Sequence, residues 1–314
     1  MKTAFLFSGQ GAQYPGMGKE LYDQFESAKA VFEEANQATG MSVTDLCFKE
    51  SDELNLTEYA QPAILTMSIA AWKVLEEHGV HADVTAGLSL GEYSAYVAAG
   101  ALEFSEAVAL VQKRGKYMAE AVPAGEGAMY AIIGLAQDLV EEACKEALAE
   151  GYVTPANYNA PGQIVIAGET KAAEQAAKLA KEKGAKLAVK LNVSGPFHTK
   201  LLQPASDKLA KELEKITVHD FNIPTYTNLT ASKVEGKESI KDILTKQVVN
   251  PVRWEEIIRK MHEEDGVDTF IEIGPGKALS GFVKRTVKGV TILNVENIAT
   301  LNKCLTTLGV QTEE

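Results

Sequence analysis

The sequence predicts an α/β protein: a large unit on a parallel-sheet core, interrupted by a smaller unit with a sheet of its own. Three observations predict it. A short apolar run at 4–7 and a short strand at 82–86 end in glycine-bearing loops, the second leading straight into a helical pattern, as buried parallel strands do. The stretch 125–194 reads in the order β-α-β-β-α-β, the split βαβ arrangement of ferredoxin-like units. Between a strand and a helix stands Gly87-Leu88-Ser89-Leu90-Gly91, the G-x-S-x-G turn of α/β-hydrolase-like sheets.

The elements follow in order. The run 4–7 is a strand stopped by Gly9 and Gly11. Residues 21–39 read as one helix ended at Gly40. Thr57 is placed to cap a long apolar helix reaching His78, with Pro62 in its early turns and Gly79 as its stop. A strand over 82–86 feeds a helix over 90–99, closed by Gly100, and Ser105 is placed to cap a helix running to about 121. The smaller unit then reads as strand 128–135, helix 136–150, strands 152–158 and 163–167 around the Asn159-Ala160-Pro161-Gly162 turn, helix 170–183 and strand 186–193. The large unit resumes with a helix over 201–213 and closes with a strand over 269–273. The expected division is therefore 1–124 with 195–314 as the large unit and 125–194 as the insert.

Composition narrows the function classes. A chain of 314 residues, 46% apolar and 24% charged, is long enough to bury a substantial core. Its formal net charge of -12 argues against nucleic acid as a general partner, because phosphate neutralisation needs clustered Lys and Arg. Cys47, Cys144 and Cys304 are widely spaced, with no CxxC, so their spacing suggests neither a metal site nor a disulfide framework and fits a reducing, cytoplasmic compartment. The opening apolar run is too short for a signal-peptide core, and no apolar stretch approaches the roughly 20 residues that span a bilayer.

Ser89 sits where a nucleophile would be presented. A sharp strand-to-helix turn pushes its hydroxyl outward, and the helix N-terminus offers free N–H groups to an oxyanion. The competing reading is an ordinary turn serine or helix cap. Among five histidines, His198 stands apart: it follows Gly195-Pro196-Phe197 at a strand end and precedes a helix, the position where α/β sites are assembled. It is either the base that activates Ser89 or a buried structural imidazole. On the helix after Ser105, residues Ala107, Val111, Met118 and Ala121 form an apolar stripe, and Arg114 falls on it. An inward-facing Arg needs an anion or a hydrogen-bond network. It either grips a substrate carboxylate in a bidentate fork or pairs with a buried carboxylate such as Glu92.

At these residues the sequence resembles the malonyl-CoA:acyl carrier protein transacylases of fatty-acid and polyketide synthesis. The motifs that carry the resemblance are Phe7-Ser8-Gly9-Gln10-Gly11-Ala12-Gln13, Gln61-Pro62-Ala63, the turn around Ser89 extended through Glu92-Tyr93-Ser94-Ala95, Gln112-Lys113-Arg114-Gly115, Asn157-Tyr158-Asn159, the run from Val193 to His198, Asn250-Pro251-Val252-Arg253-Trp254 and Glu272-Ile273-Gly274-Pro275-Gly276. They occur in the family's order and span nearly the whole chain. The resemblance implies an active site between a large α/β unit and an inserted ferredoxin-like unit. It implies Ser89 as the acyl-carrying nucleophile, His198 as base, and the main-chain N–H groups of Gln10 and Leu90 as oxyanion hole. Arg114 would bind the malonyl carboxylate, and Gln247, at the same site, would hold His198 through its main-chain carbonyl in place of a triad acid. Two positions depart from the common pattern: Leu88 where many members have His, and Ser8 where many have Pro.

The implied reaction is ping-pong transfer of malonyl from malonyl-CoA to the phosphopantetheine thiol of acyl carrier protein, with no metal or bound cofactor, by a cytoplasmic monomer. The rivals are a hydrolase of the same elbow, whose chain order would be Ser, acid, His; an acetyl- or methylmalonyl-specific transferase, disfavoured by Arg114 and by the bulk of Phe197; and a non-enzymatic docking subunit. The lysines at 171, 178, 181, 183, 186 and 190 are read as either a solvated face or a local docking patch for an acidic carrier.

Overall fold

The computed structural model describes residues 1–310. The chain opens with β1 (Thr3–Phe7), followed by α1 (Lys19–Gln24), α2 (Glu26–Thr39), α3 (Val43–Phe48) and α4 (Thr57–Glu77). β2 (Val84–Gly87), α5 (Gly91–Ala98) and α6 (Phe104–Glu120) complete the first part. Then come β3 (Gly127–Ile133), α7 (Gln137–Ala147), β4 (Val153–Ala160), β5 (Gln163–Glu169), α8 (Thr170–Glu182) and β6 (Leu187–Lys190). The last part contains α9 (Gln203–Leu213), α10 (Ile240–Gln247), α11 (Trp254–Glu263), β7 (Thr269–Ile273), α12 (Ala278–Thr286), β8 (Thr291–Val295) and α13 (Ile298–Leu308).

Two sheets organise these elements. The first runs β2-β1-β7-β8, all parallel. Every residue of β1, β2 and β7 is buried, the polar Thr85 and Glu272 among them, as in parallel strands covered on both faces. The chain leaves β1 for β2 on one side and later returns as β7 on the other, so the carboxyl ends of β1 and β7 border a switch point, where open α/β sheets place their ligands. The second sheet, β4-β5-β3-β6, is antiparallel and carries α7 and α8 on one face. Side-chain alternation divides its two faces. Ala128, Ile132, Ile164 and Ile166 pack under α7 and α8, while Met129, Val165 and Ala167 join the core of the large unit.

Several expectations change. The helix expected over 21–39 is two, because Phe25 takes an extended conformation (φ −123°, ψ 120°) and packs its ring edge-on to His78. Thr57 does not cap α4; Leu56 does, and the Thr57 hydroxyl instead meets Ser194 Oγ at 2.7 Å and accepts from Gln10 Nε2 at 3.1 Å. That hydroxyl serves a tertiary contact that local sequence does not reveal. Glu103, not Ser105, occupies the cap of α6. The strand expected over 186–193 ends at Lys190. Nor does the chain close at β7: β8, Thr-Ile-Leu-Asn-Val, extends the parallel sheet as a half-exposed edge strand.

Candidate active site

Glycines build the serine turn. A β-carbon on Gly87 would lie 1.8 Å from the Gly91 carbonyl oxygen, and one on Gly91 would lie 2.2 Å from that of Phe7. A β-carbon on Gly9 would lie 2.5 Å from the Leu88 carbonyl oxygen. Only residues without a β-carbon let the ends of β1 and β2 interlock this closely, and the interlock brings Gln10 beside Ser89. Ser89 itself has φ 52°, in the left-handed region that a non-glycine residue occupies at a cost of about 1–3 kcal/mol. What holds it there is Asn228, whose Oδ1 accepts the Ser89 N–H at 2.7 Å while its Nδ2 donates to the Gly87 carbonyl at 2.8 Å. The Ser89 amide is thus occupied. No hydrogen bond among the described residues uses the main-chain N–H of Leu90 or Gln10.

His198 comes from the loop after β6 and also has a positive φ, 59°. Its Nε2 lies 2.7 Å from Ser89 Oγ, and its Nδ1 lies 2.9 Å from the Gln247 carbonyl oxygen. Facing a carbonyl, Nδ1 must carry the proton, which leaves Nε2 bare to accept the Ser89 hydroxyl proton. Burial, reinforced by the nearby Arg114 cation, lowers the imidazole pKa to about 4, so the ring is neutral around pH 7.

Arg114 is only 1% exposed. Gly115 beside it permits the approach of α6 to α4, since a β-carbon there would lie 2.4 Å from the Thr57 carbonyl oxygen. Arg114 Nη1 donates to Gln61 Oε1 at 2.8 Å, and Nη2 donates to Gln247 Oε1 at 2.9 Å and to Ser89 Oγ at 3.1 Å. Its Nε–H has no acceptor among the described residues. The direct pair with Glu92 does not form; Gln247 stands between them and donates its Nε2 to Glu92 Oε2 at 2.7 Å. Desolvation lowers the Arg114 pKa and raises that of Glu92 from their ordinary values.

Ser89, His198 and Gln10 open onto one cleft of about 250 Å³. Its opposite wall includes Met129 and Val165 from the open face of the second sheet. Asn157 and Asn159 of β4 line it too, each 7% exposed, and Asn159 Oδ1 has no partner among the described residues. Such an acceptor suits a ligand amide. Glu272, at the end of β7, also lines the cleft and accepts the N–H groups of Leu279 and Ser280 at 3.1 and 2.7 Å. Burial raises its pKa to about 7. Ser8, one of the two departures, donates its hydroxyl to the Pro275 carbonyl at 3.0 Å and its N–H to the Ile273 carbonyl at 3.2 Å, a tie between β1 and the β7 loop that proline lacks the donors to make. Among the described residues no three His, Cys, Asp or Glu side chains stand close enough to hold a metal ion, and no helix is long and apolar enough to cross a membrane.

The structure therefore brings together all six residues singled out from the sequence: Ser89, His198, Arg114 and Gln247 by direct hydrogen bonds, with Gln10 and Leu90 flanking the turn. It adds Asn228, Gln61 and the side chain of Gln247, none of which sequence reasoning assigned to these contacts. Gln61 had a signal, since it stands in a motif of the resemblance. Asn228 had none, as its bond to Ser89 crosses 139 positions.

The chain is similar along nearly its whole length to known proteins. The acyl transferase domain family matches residues 4–308. A malonyl CoA-acyl carrier protein transacylase of Bacillus subtilis is 49% identical over 309 residues, covering 98% of this chain and 97% of that protein. The transacylase of Escherichia coli K12 is 44% identical, covering 92% and 94%. Among solved structures, the Streptococcus pneumoniae protein titled MCAT superposes with a TM-score of 0.93 at 51% identity, covering 98% and 100%. A malonyl-transacylase solved in complex with a type II PKS acyl-carrier protein superposes with a TM-score of 0.95 at 42% identity, covering 98% and 100%.

Proposed function

Since the chain belongs to the acyl transferase family, among the malonyl CoA-acyl carrier protein transacylases, we propose that it moves malonyl from coenzyme A to the pantetheine thiol of an acyl carrier protein through an ester on Ser89. The observation that carries the reading is the chain of contacts from the Gln247 carbonyl through neutral His198 to Ser89 Oγ, with Arg114 beside it. His198 Nε2 takes the Ser89 proton as Oγ attacks the malonyl thioester carbon. The oxyanion is met by the unengaged N–H groups of Leu90 and Gln10, since Asn228 already occupies that of Ser89. The proton passes to the departing coenzyme A sulfur, and the ester remains. In the second half, His198 takes the proton of the carrier thiol as the sulfur attacks the ester carbonyl, and returns it to Ser89 Oγ as the ester bond breaks.

A carbonyl on Nδ1 fixes the tautomer as a carboxylate would, but stabilises imidazolium less. Thiols leave readily, so thioester exchange asks less of the base than amide cleavage does. The Arg114 fork matches the free malonyl carboxylate, which would exchange neutral acceptors for a charged one. Asn159 Oδ1 offers an acceptor to an amide of the pantetheine arm. In this reading residues 1–124 and 195–314 form the catalytic unit, 125–194 form the insert that roofs the cleft, and the enzyme works as a cytoplasmic monomer without a bound cofactor.

The carrier approaches along β6. This edge strand exposes Leu187 and Val189, follows Lys186, ends at Lys190, and leads into Leu191 and Val193, which line the cleft. Lys183 is less available, being paired with Glu142 and Glu146. Labelled malonyl-CoA supplied with enzyme and an acidic holo carrier protein should place the label on the carrier. Reversing Lys186 and Lys190 to Glu should slow that transfer at low ionic strength and less so at high. Label recovered as free malonate would make the protein a hydrolase, and unchanged kinetics in the double variant at low salt would remove β6 from the docking surface.

A further inference from the structure

Beneath the serine turn lies Glu92, 0% exposed, one helical turn after Ser89 on α5. Its Oε2 accepts two hydrogen bonds, from the Asn228 main-chain N–H at 3.0 Å and from Gln247 Nε2 at 2.7 Å. Its Oε1 accepts the Tyr96 hydroxyl at 2.8 Å. The two residues held by Oε2 are the ones that hold everything else. Asn228 spans the turn, gripping the Ser89 N–H and the Gly87 carbonyl. Gln247 donates to the Ser89 carbonyl at 3.0 Å, accepts from Arg114, and places its own carbonyl on His198 Nδ1.

We infer that Glu92 is a positioning residue: one carboxylate oxygen keeps the nucleophile, its base and the arginine in register through Asn228 and Gln247. The inference rests on Ser89 being the acyl-carrying nucleophile. Its physical content is the orientation of an amide. Gln247 Nε2 has two acceptors, Glu92 Oε2 and the Ser89 carbonyl, and both lie on the side away from Arg114. The carboxylate therefore turns Gln247 Oε1 toward Arg114 Nη2. Without that acceptor only the Ser89 carbonyl biases the amide, and the guanidinium's partner is held less firmly. The same oxygen anchors the segment from which Asn228 reaches across the strained Ser89 backbone. Glu92 touches no reacting atom in this arrangement.

Two substitutions separate reach from charge. Glu92→Gln keeps an acceptor at the same reach, and the Tyr96 hydroxyl can turn to accept from the new amide. Glu92→Asp keeps the charge but withdraws the oxygens by one methylene. With folding of each variant verified by urea unfolding, positioning predicts that Glu92→Gln stays within about tenfold of the parent kcat. It predicts that Glu92→Asp loses about 10²-fold, the penalty of a misplacement near 1 Å. Glu92→Asp should also lose about tenfold in its preference for malonyl-CoA over acetyl-CoA, because Arg114 is no longer held, on the order of one charge-assisted hydrogen bond.

A Glu92→Asp enzyme with parent kcat and parent donor preference overturns the inference. So does a Glu92→Gln enzyme that falls further than Glu92→Asp, which would assign Glu92 a charge-balancing role. Labelling of Ser89 by phenylmethylsulfonyl fluoride supplies a readout without an acyl donor: positioning predicts slower labelling in Glu92→Asp than in Glu92→Gln, and equal rates contradict it. If the parent protein accepts no malonyl, the reading of the reaction fails, while the labelling rates still decide the role of Glu92.

Discussion

Replacing Ser89 with Ala abolishes the covalent malonyl adduct, because it removes the hydroxyl that His198 Nε2 meets at 2.7 Å beside the free amides of Leu90 and Gln10. His198→Ala keeps the nucleophile and slows both half-reactions, by about 10²–10⁴-fold if the imidazole acts only as general base. The pH profile identifies the base independently. With the His198 pKa lowered to about 4, the rate of Ser89 acylation should hold level from pH 8 to about pH 5.5, and fall only toward pH 4 as the ring takes a proton. An acid limb with its midpoint near the ordinary histidine value of about 6.5 would contradict a buried, neutral base. A stable malonyl adduct on Ser89→Ala would remove the serine from the mechanism.

The same titrations bear on stability, with opposite signs. His198 has its folded pKa lowered, so its contribution is full above the unfolded value of about 6.5 and is lost as pH falls toward 4. Glu272 has its folded pKa raised to about 7, so its contribution is full below the unfolded carboxylate range and is lost as pH rises through 7. The two act in overlapping windows and partly cancel between about pH 4.5 and pH 6.5. A flat activity profile there reports the base rather than unfolding.

Arg114→Ala is the second large effect. The expected result is a folded enzyme, impaired with malonyl-CoA and relatively improved with acetyl-CoA, because the guanidinium fork is the only cation within hydrogen-bond reach of Ser89 Oγ among the described residues. A bidentate guanidinium–carboxylate contact contributes about 1.5–3 kcal/mol, a discrimination on the order of 10–10²-fold. Arg114→Lys recovers only part of it, since an ammonium offers a point charge without the fork. Retention of the parent preference for malonyl over acetyl would leave Arg114 a structural role through Gln61 and Gln247. Unfolding of Arg114→Ala would point the same way.

Much of the site was legible in the sequence because its demands are local. The steric limit at Gly87 is met within five residues, at Gly91, so the turn around Ser89 announces itself. Arg114 shows through helical periodicity, which also depends only on neighbours. His198 shows through its place after a Gly-Pro turn. The partners that hold these groups are not local. Asn228 bonds Ser89 across 139 positions and Gln247 bonds Glu92 across 155, and nothing near a buried amide in the sequence says which acceptor it will meet. The fold divides the same way. β7 lies where the sequence places it, over 269–273, whereas β8, similar in composition but half-exposed at the sheet edge, is not foreseen. Thr57 looked like a cap because capping is the commonest local use of a threonine at a helix start, yet its hydroxyl bridges to Ser194.

The central claim is that Ser89 carries the malonyl group between two thiols. Intact-mass measurement tests it most directly: purified protein mixed with malonyl-CoA, then with holo acyl carrier protein. The account predicts a gain of one malonyl mass per chain, located on Ser89 by peptide mapping, followed by its loss from the enzyme and appearance on the carrier. A protein that never gains the mass, or one whose adduct leaves only as free malonate while the carrier stays unmodified, would contradict it.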